Sequence, residues 1–192
     1  MTQVQPSTIY CLPGRGGRLN AGLGLELQRR GYGLIGRETV AEFARLSFAE
    51  QTAAVADDLK TAFWREDALV IANSLGCYLF LHAQALLPPF PGKVLLLSPV
   101  VGGVTSPESG IGFSPPMGDL LLQLATAGDL SVPRSCEIHV GELDWQCPPA
   151  LVRHFGELAG IPVTVVPAGH HMLEKRYVSQ LLDNWLPKQI LR

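Results

Sequence analysis

Ser74, Asp144 and the adjacent pair His170-His171 are the side chains with the most chemistry to offer in this chain. A serine hydroxyl is a weak nucleophile until a base takes its proton, and an imidazole base works best when a carboxylate orients it. Acting together, groups of these types would attack an acyl carbon, form an acyl-serine and release the acid to water. The alternative role for Ser74 is a plain helix N-cap. The neighbouring residues decide between the two.

Ser74 lies in "IANSLGCYLF". An apolar run over residues 68–72 stops at Asn73-Ser74, and a helix-like run opens at Leu75. Ala72-Asn73-Ser74-Leu75-Gly76 matches G-x-S-x-G with Ala in the first place, and the motif needs small residues two before and two after the serine. Strand, sharp turn and helix in that order favour the nucleophile. Among the histidines, His82 lies in a helix-like run, His139 in a strand-like run and His154 in a helix beside Arg153. His170 and His171 instead follow the strand-like run 163–166, in the loop "PAGHHM". His170 is the expected base, because Gly169 before it lets the backbone turn sharply. His171 is expected to pack on the loop or face solvent. The orienting acid should also follow a strand. Asp144 in "GELDWQCPP" does so, ahead of Glu142, Asp119 and Asp129. The spacing from Asp144 to His170 leaves room for one helix and one strand.

A tetrahedral intermediate needs backbone donors for its oxyanion. The Leu75 N–H, at the start of the helix, is one candidate. Arg15 in "LPGRGGRL" supplies the other, among glycines that permit close approach. That loop lacks the third glycine of G-x-G-x-x-G at its offset and has no GK[ST], so nucleotide-binding readings fail. The four cysteines show no CxxC pair and no metal-ligand spacing, so no metal and no cofactor are expected.

The elements that must position these groups alternate. Strand-like runs cover residues 8–12, 32–35, 68–72, 93–97, 137–141 and 163–166. Helix-like runs cover 19–30, 47–64, 75–87, 117–127, 149–158 and 177–186. Alternation of this kind predicts an α/β domain with a mostly parallel sheet and helices on both faces. The 192 residues suit one domain, 1–192. Residues 100–134, rich in Gly, Pro and Ser, break the rhythm and read as an insertion over the C-terminal sheet edge, where such sheets bind ligands. Phe113, Met117 and Trp145 are the candidate substrate contacts, Trp145 being either a pocket wall or a core residue; Ile111 joins them as an acyl-pocket candidate, and Leu120, Leu121 and Leu124 either line that pocket too or pack the inserted helix down. A formal charge of −2 without a basic block argues against nucleic acid. No apolar run is long enough for a bilayer span. The opening residues lack a signal-peptide pattern, so a cytoplasmic protein with free thiols is expected.

The pieces "YCLPGRGG", "IANSLGCYL", "GELDWQCPP" and "PAGHHML", in that order, resemble the α/β-hydrolase superfamily, and more narrowly its small lidless bacterial serine esterases. The resemblance covers almost the whole chain. It implies about six strands, a Ser74–Asp144–His170 triad and a small ester or thioester as substrate; in that family the base also commonly follows a glycine. There are two departures: Pro13-Gly14 stands where the family has His-Gly, and Ala72 replaces the first elbow glycine. A hydrolase-fold binding protein and an acyltransferase using the same triad are the alternatives.

Overall fold

Thr8–Leu12 form the first strand, β1, and every following strand of the main sheet runs parallel to its neighbours. The computed structural model describes residues 8–106, 110 and 112–187. In chain order come α1 (Gly22–Arg29), β2 (Gly33–Gly36), α2 (Ala41–Arg45) and α3 (Phe48–Asp58), the last running into a π-helical turn, Leu59–Phe63. Then follow β3 (Leu69–Asn73), α4 (Leu75–Ala85), β4 (Lys93–Leu97) and a short antiparallel pair, β5 (Val104–Thr105) with β6 (Gly112–Phe113). The chain continues through α5 (Leu120–Ala127), β7 (Ser135–Gly141), α6 (Pro149–Ala159), β8 (Val163–Val166) and α7 (Lys175–Trp185). The six-stranded sheet has the order β2-β1-β3-β4-β7-β8.

Side chains alternate across a strand, and here each set meets a different helical layer. Tyr10, Leu12, Val70, Ala72, Val94, Leu96, Ile138 and Val140 pack in one cluster with residues of α3, α4, α5 and α6. Ile9, Cys11, Leu69, Ile71, Leu95 and Leu97 pack on the other face with Leu27 of α1 and Leu182 and Trp185 of α7. Central strands buried on both faces are the reason they read as unbroken apolar runs. Each fully buried Leu or Ile contributes roughly 1.5–3 kcal/mol of transfer free energy.

The helix signals act locally. Ser47 accepts from the Glu50 N–H, and the Glu50 carboxylate accepts from the Ser47 N–H at 2.8 Å, a complete capping box at the start of α3. The helix expected from Met117 begins instead at Leu120, because Met117 has φ +69° and belongs to a turn closed by Gly118 N–H donating to Pro115 O. α2 and the β5–β6 pair were not expected; each is five residues or fewer and carries little periodicity. The stretch 100–134 holds that pair and α5, which buries Leu121 and Ala125 against the core. Among the described residues no helix is long and apolar enough to cross a membrane.

Candidate active site

β1 and β3 lie side by side, with Leu12 opposite Ala72, so the loop after β1 and the turn after β3 emerge at the same sheet edge. Ser74 forms that second turn with φ +50° and ψ −115°, a strained conformation for a non-glycine residue. The surroundings hold it there. The Ser74 N–H donates to Leu97 O at 2.9 Å, and Ser74 O accepts from the Cys77 N–H at 3.0 Å. A Cβ on Gly76 would lie 2.1 Å from Leu12 O, so the first turn of α4 seats directly on the end of β1 and tolerates no side chain there. Ser74 thus has the backbone of a nucleophile elbow. Its side chain makes no capping bond.

Its hydroxyl instead meets an imidazole. Ser74 Oγ lies 3.0 Å from His171 Nε2. His171 Nδ1 lies 3.0 Å from Asp144 Oδ2 and 3.1 Å from Oδ1. Asp144 is 1% exposed. Its Oδ1 also accepts from the backbone N–H groups of Gln146 (3.0 Å) and Cys147 (2.9 Å). An Asp accepting from amides two and three residues on is a familiar local pattern, and it is the signal in the sequence that marks these two donors. Glu142 is used elsewhere, accepting from the Ala168 N–H at 2.8 Å.

The expectation for the histidine pair is corrected here. The residue between Ser74 and Asp144 is His171, and His170 is exposed. The sharp turn is made by Ala168, with φ +54°, not by Gly169. Gly169 serves close approach: a Cβ on Gly141 would come 2.4 Å from Gly169 O and 2.5 Å from His170 O. The loop therefore presses its backbone onto the end of β7, and the Leu143 N–H donates to Gly169 O at 2.7 Å. Turning one residue earlier changes which of two consecutive side chains faces the serine.

The loop after β1 is a tight turn in which the Gly17 N–H donates to Gly14 O at 2.9 Å. Its third residue, Gly16, has φ +72°, as a type II turn requires. A Cβ on Gly14 would lie 3.3 Å from Ser74 Cβ, so this backbone passes directly beside the serine. Pro13 packs beneath the turn, with its Cβ 2.5 Å from where a Cβ of Gly17 would stand. Leu75 opens α4, where helix geometry leaves the first amides without intrahelical acceptors.

Of the expected substrate contacts, Met117 and Trp145 are exposed, while Phe113 is partly buried and packs against the core. The turn that carries Met117 is held to α4 by Tyr78, whose hydroxyl donates to Pro116 O. Two exposed apolar residues missed in the sequence flank the same groups: Leu143 beside Asp144, and Met172, 79% exposed, beside His171. Leu121 is buried, and Leu120 and Leu124 are partly so. Ile111 lies outside the described residues.

Asp144, Cys147 and His171 bring three ligand-type atoms within 4.8 Å of one another. All three are engaged within the protein: Asp144 and His171 bond to each other, and the Cys147 thiol donates to Ser98 O at 3.0 Å, while burial, with the Asp144 charge adding, pushes that thiol well above its usual range.

No family model matches the chain, and no curated protein does. Solved structures do. The chain is similar to Est1E from Butyrivibrio proteoclasticus, with 13% identity, TM-score 0.65 and coverage of 98% of this chain and 90% of that one. It is similar to the ydeN gene product of B. subtilis, with 14% identity, TM-score 0.62 and coverage of 93% and 98%. A third is MGS-MChE2, an alpha/beta hydrolase enzyme from the metagenome of sediments of the Mar Chica lagoon, Morocco, with 18% identity, TM-score 0.60 and coverage of 94% and 90%. The chain has the α/β-hydrolase fold, in a single-domain form with six parallel strands.

Proposed function

We propose that this protein is a serine hydrolase that cleaves a carboxylic ester or thioester through an acyl-enzyme. The observation that carries the reading is the unbroken chain Ser74 Oγ, His171 Nε2, His171 Nδ1, Asp144 Oδ2, with both hydrogen bonds at 3.0 Å. The fold of the similar structures is compatible with it.

In this reading Ser74 Oγ attacks the acyl carbon while its proton passes to His171 Nε2. Asp144 holds the Nδ1–H and stabilises the imidazolium. The oxyanion accepts from the Leu75 N–H and from the Arg15 N–H of the loop after β1. The intermediate collapses, the carbon–leaving-group bond breaks, and Nε2 returns its proton to the departing alcohol or thiol. Water repeats the sequence on the acyl-serine: it loses a proton to Nε2, the acid is released, and Ser74 Oγ recovers its proton.

Leu143 and Trp145 flank Asp144, Met172 follows His171, and all three, like Met117, are exposed apolar side chains. They favour an acyl or leaving group with apolar surface, since each Å² removed from water is worth about 25 cal/mol. Four unpaired thiols suit a reducing compartment, the cytoplasm.

A fluorophosphonate probe tests the reading. Intact-mass analysis is expected to show one adduct, lost in Ser74→Ala. A panel of esters and thioesters of increasing acyl length is expected to give turnover that rises with chain length and vanishes in the same variant. Equal labelling and turnover in Ser74→Ala would remove Ser74 from the mechanism.

A further inference from the structure

Resting on the serine-hydrolase reading, we infer that Thr39 and Glu38 are positioning residues that set the oxyanion-binding loop beside Ser74. Neither touches the serine, and both lie in the connection after β2. The Thr39 hydroxyl donates to Gly14 O and accepts from the Gly17 N–H at 3.0 Å. The Thr39 N–H donates to Gly17 O at 3.2 Å. One buried residue therefore holds both ends of the turn that contains Arg15. Glu38 Oε1 accepts from the Leu19 N–H at 2.9 Å, where the chain leaves that turn.

The clasp is itself anchored. Arg37, the preceding residue, makes a bidentate pair with Asp58 of α3, at 2.7 Å for each bond. Asp58 also accepts from the Tyr10 hydroxyl of β1 at 2.7 Å. Three consecutive residues, Arg37, Glu38 and Thr39, thus tie the loop after β1 to α3 and to β1 itself. An oxyanion donor must sit at a fixed place before the charge develops, because reorganisation during the reaction cancels its benefit. A four-residue turn containing Gly14, Gly16 and Gly17 is too pliant to hold one amide still. The clasp from outside the turn supplies that rigidity. Where the family has His after the first strand, this chain has Pro13, which buttresses the turn from below.

The test compares Thr39→Val, Thr39→Ser and Glu38→Ala with the wild-type protein, each checked for folding by circular dichroism and Tm. Losing an oxyanion donor outright costs about 10²–10³ in kcat; misplacing one in Thr39→Val is expected to cost about 10-fold or more. KM should stay nearly constant, and Thr39→Ser, which keeps the hydroxyl, should restore most of the rate. A trifluoromethyl ketone, which forms an oxyanion on Ser74, should lose affinity in step with kcat/KM across the series. Unchanged kcat in a folded Thr39→Val would overturn the inference. So would a rate loss with no weakening of the ketone, the mark of a merely structural role. Should Thr39→Val fail to fold, the half-exposed Glu38→Ala decides on the same two readouts. Turnover surviving in Ser74→Ala would instead remove the underlying reading, a separate result.

Discussion

Gly141, the last residue of β7, and Gly169, in the loop after β8, meet backbone to backbone: a Cβ added to Gly141 would stand 2.4 Å from Gly169 O, and one added to Gly169 would stand 3.1 Å from Gly141 Cα. This contact seats the loop that carries His171. Gly141→Ala is expected to push the loop off β7 and move the imidazole from its 3.0 Å contacts with Ser74 and Asp144. A displacement of about 1 Å costs on the order of 10²-fold in rate. Ester kinetics would show it as a fall in kcat, and unaltered kinetics would mean that the loop has another support.

The histidines make a paired prediction. His171→Ala should abolish turnover in a protein that remains folded, whereas the exposed His170→Ala should retain most of it. Purified variants assayed with one good ester suffice. The opposite pattern would show that the loop adopts another register during the reaction.

Asp144→Asn keeps the shape of the side chain and removes the charge that faces His171 Nδ1. In the best-studied serine triad such a change costs roughly 10⁴ in kcat, and a loss of that order is expected here. Glu142→Gln, which alters only the acceptor of the Ala168 N–H, should cost far less. Comparable losses in the two would deny Asp144 its role.

His82 gives a prediction about stability. It lies on α4 among the rings of Phe48 and Tyr78, its Nε2 is buried without a partner, and burial pulls its pKa down from 6.5 to about 4. Below pH 6.5 the unfolded chain binds a proton here that the folded one refuses. Stability is therefore expected to fall as pH drops from 6.5 towards 4, by at most about 1.4 kcal/mol per pH unit for this group. His139 is shifted in the same direction by burial and adds to the slope. In His82→Phe the dependence of Tm on pH over that window should flatten. A slope identical to wild type would show that His82 titrates normally in the folded protein.

The order of strands and helices was legible in the chain because it rests on short-range patterns. Lys93–Leu97 and Val163–Val166 are strands over the very residues that the apolar runs mark, and Ser47 with Glu50 announces α3 through a capping box complete within four residues. The placement of Ser74 and Asp144 at the sheet edge was legible too, since Ser74 directly follows β3 and Asp144 stands three residues past the end of β7, so local chain geometry brings both there. Which histidine joins them was not. The phase of two consecutive side chains depends on Ala168 taking a positive φ and on Gly141 meeting Gly169 across the chain, and neither leaves a periodic signal. The clasp of Thr39 on the turn between Gly14 and Gly17 is of the same kind: β2 and β1 must first pair before those residues are neighbours. Local sequence determined where the reactive groups emerge; contacts between distant segments decided which atoms meet, because the close approach of two backbones exists only once the sheet has formed.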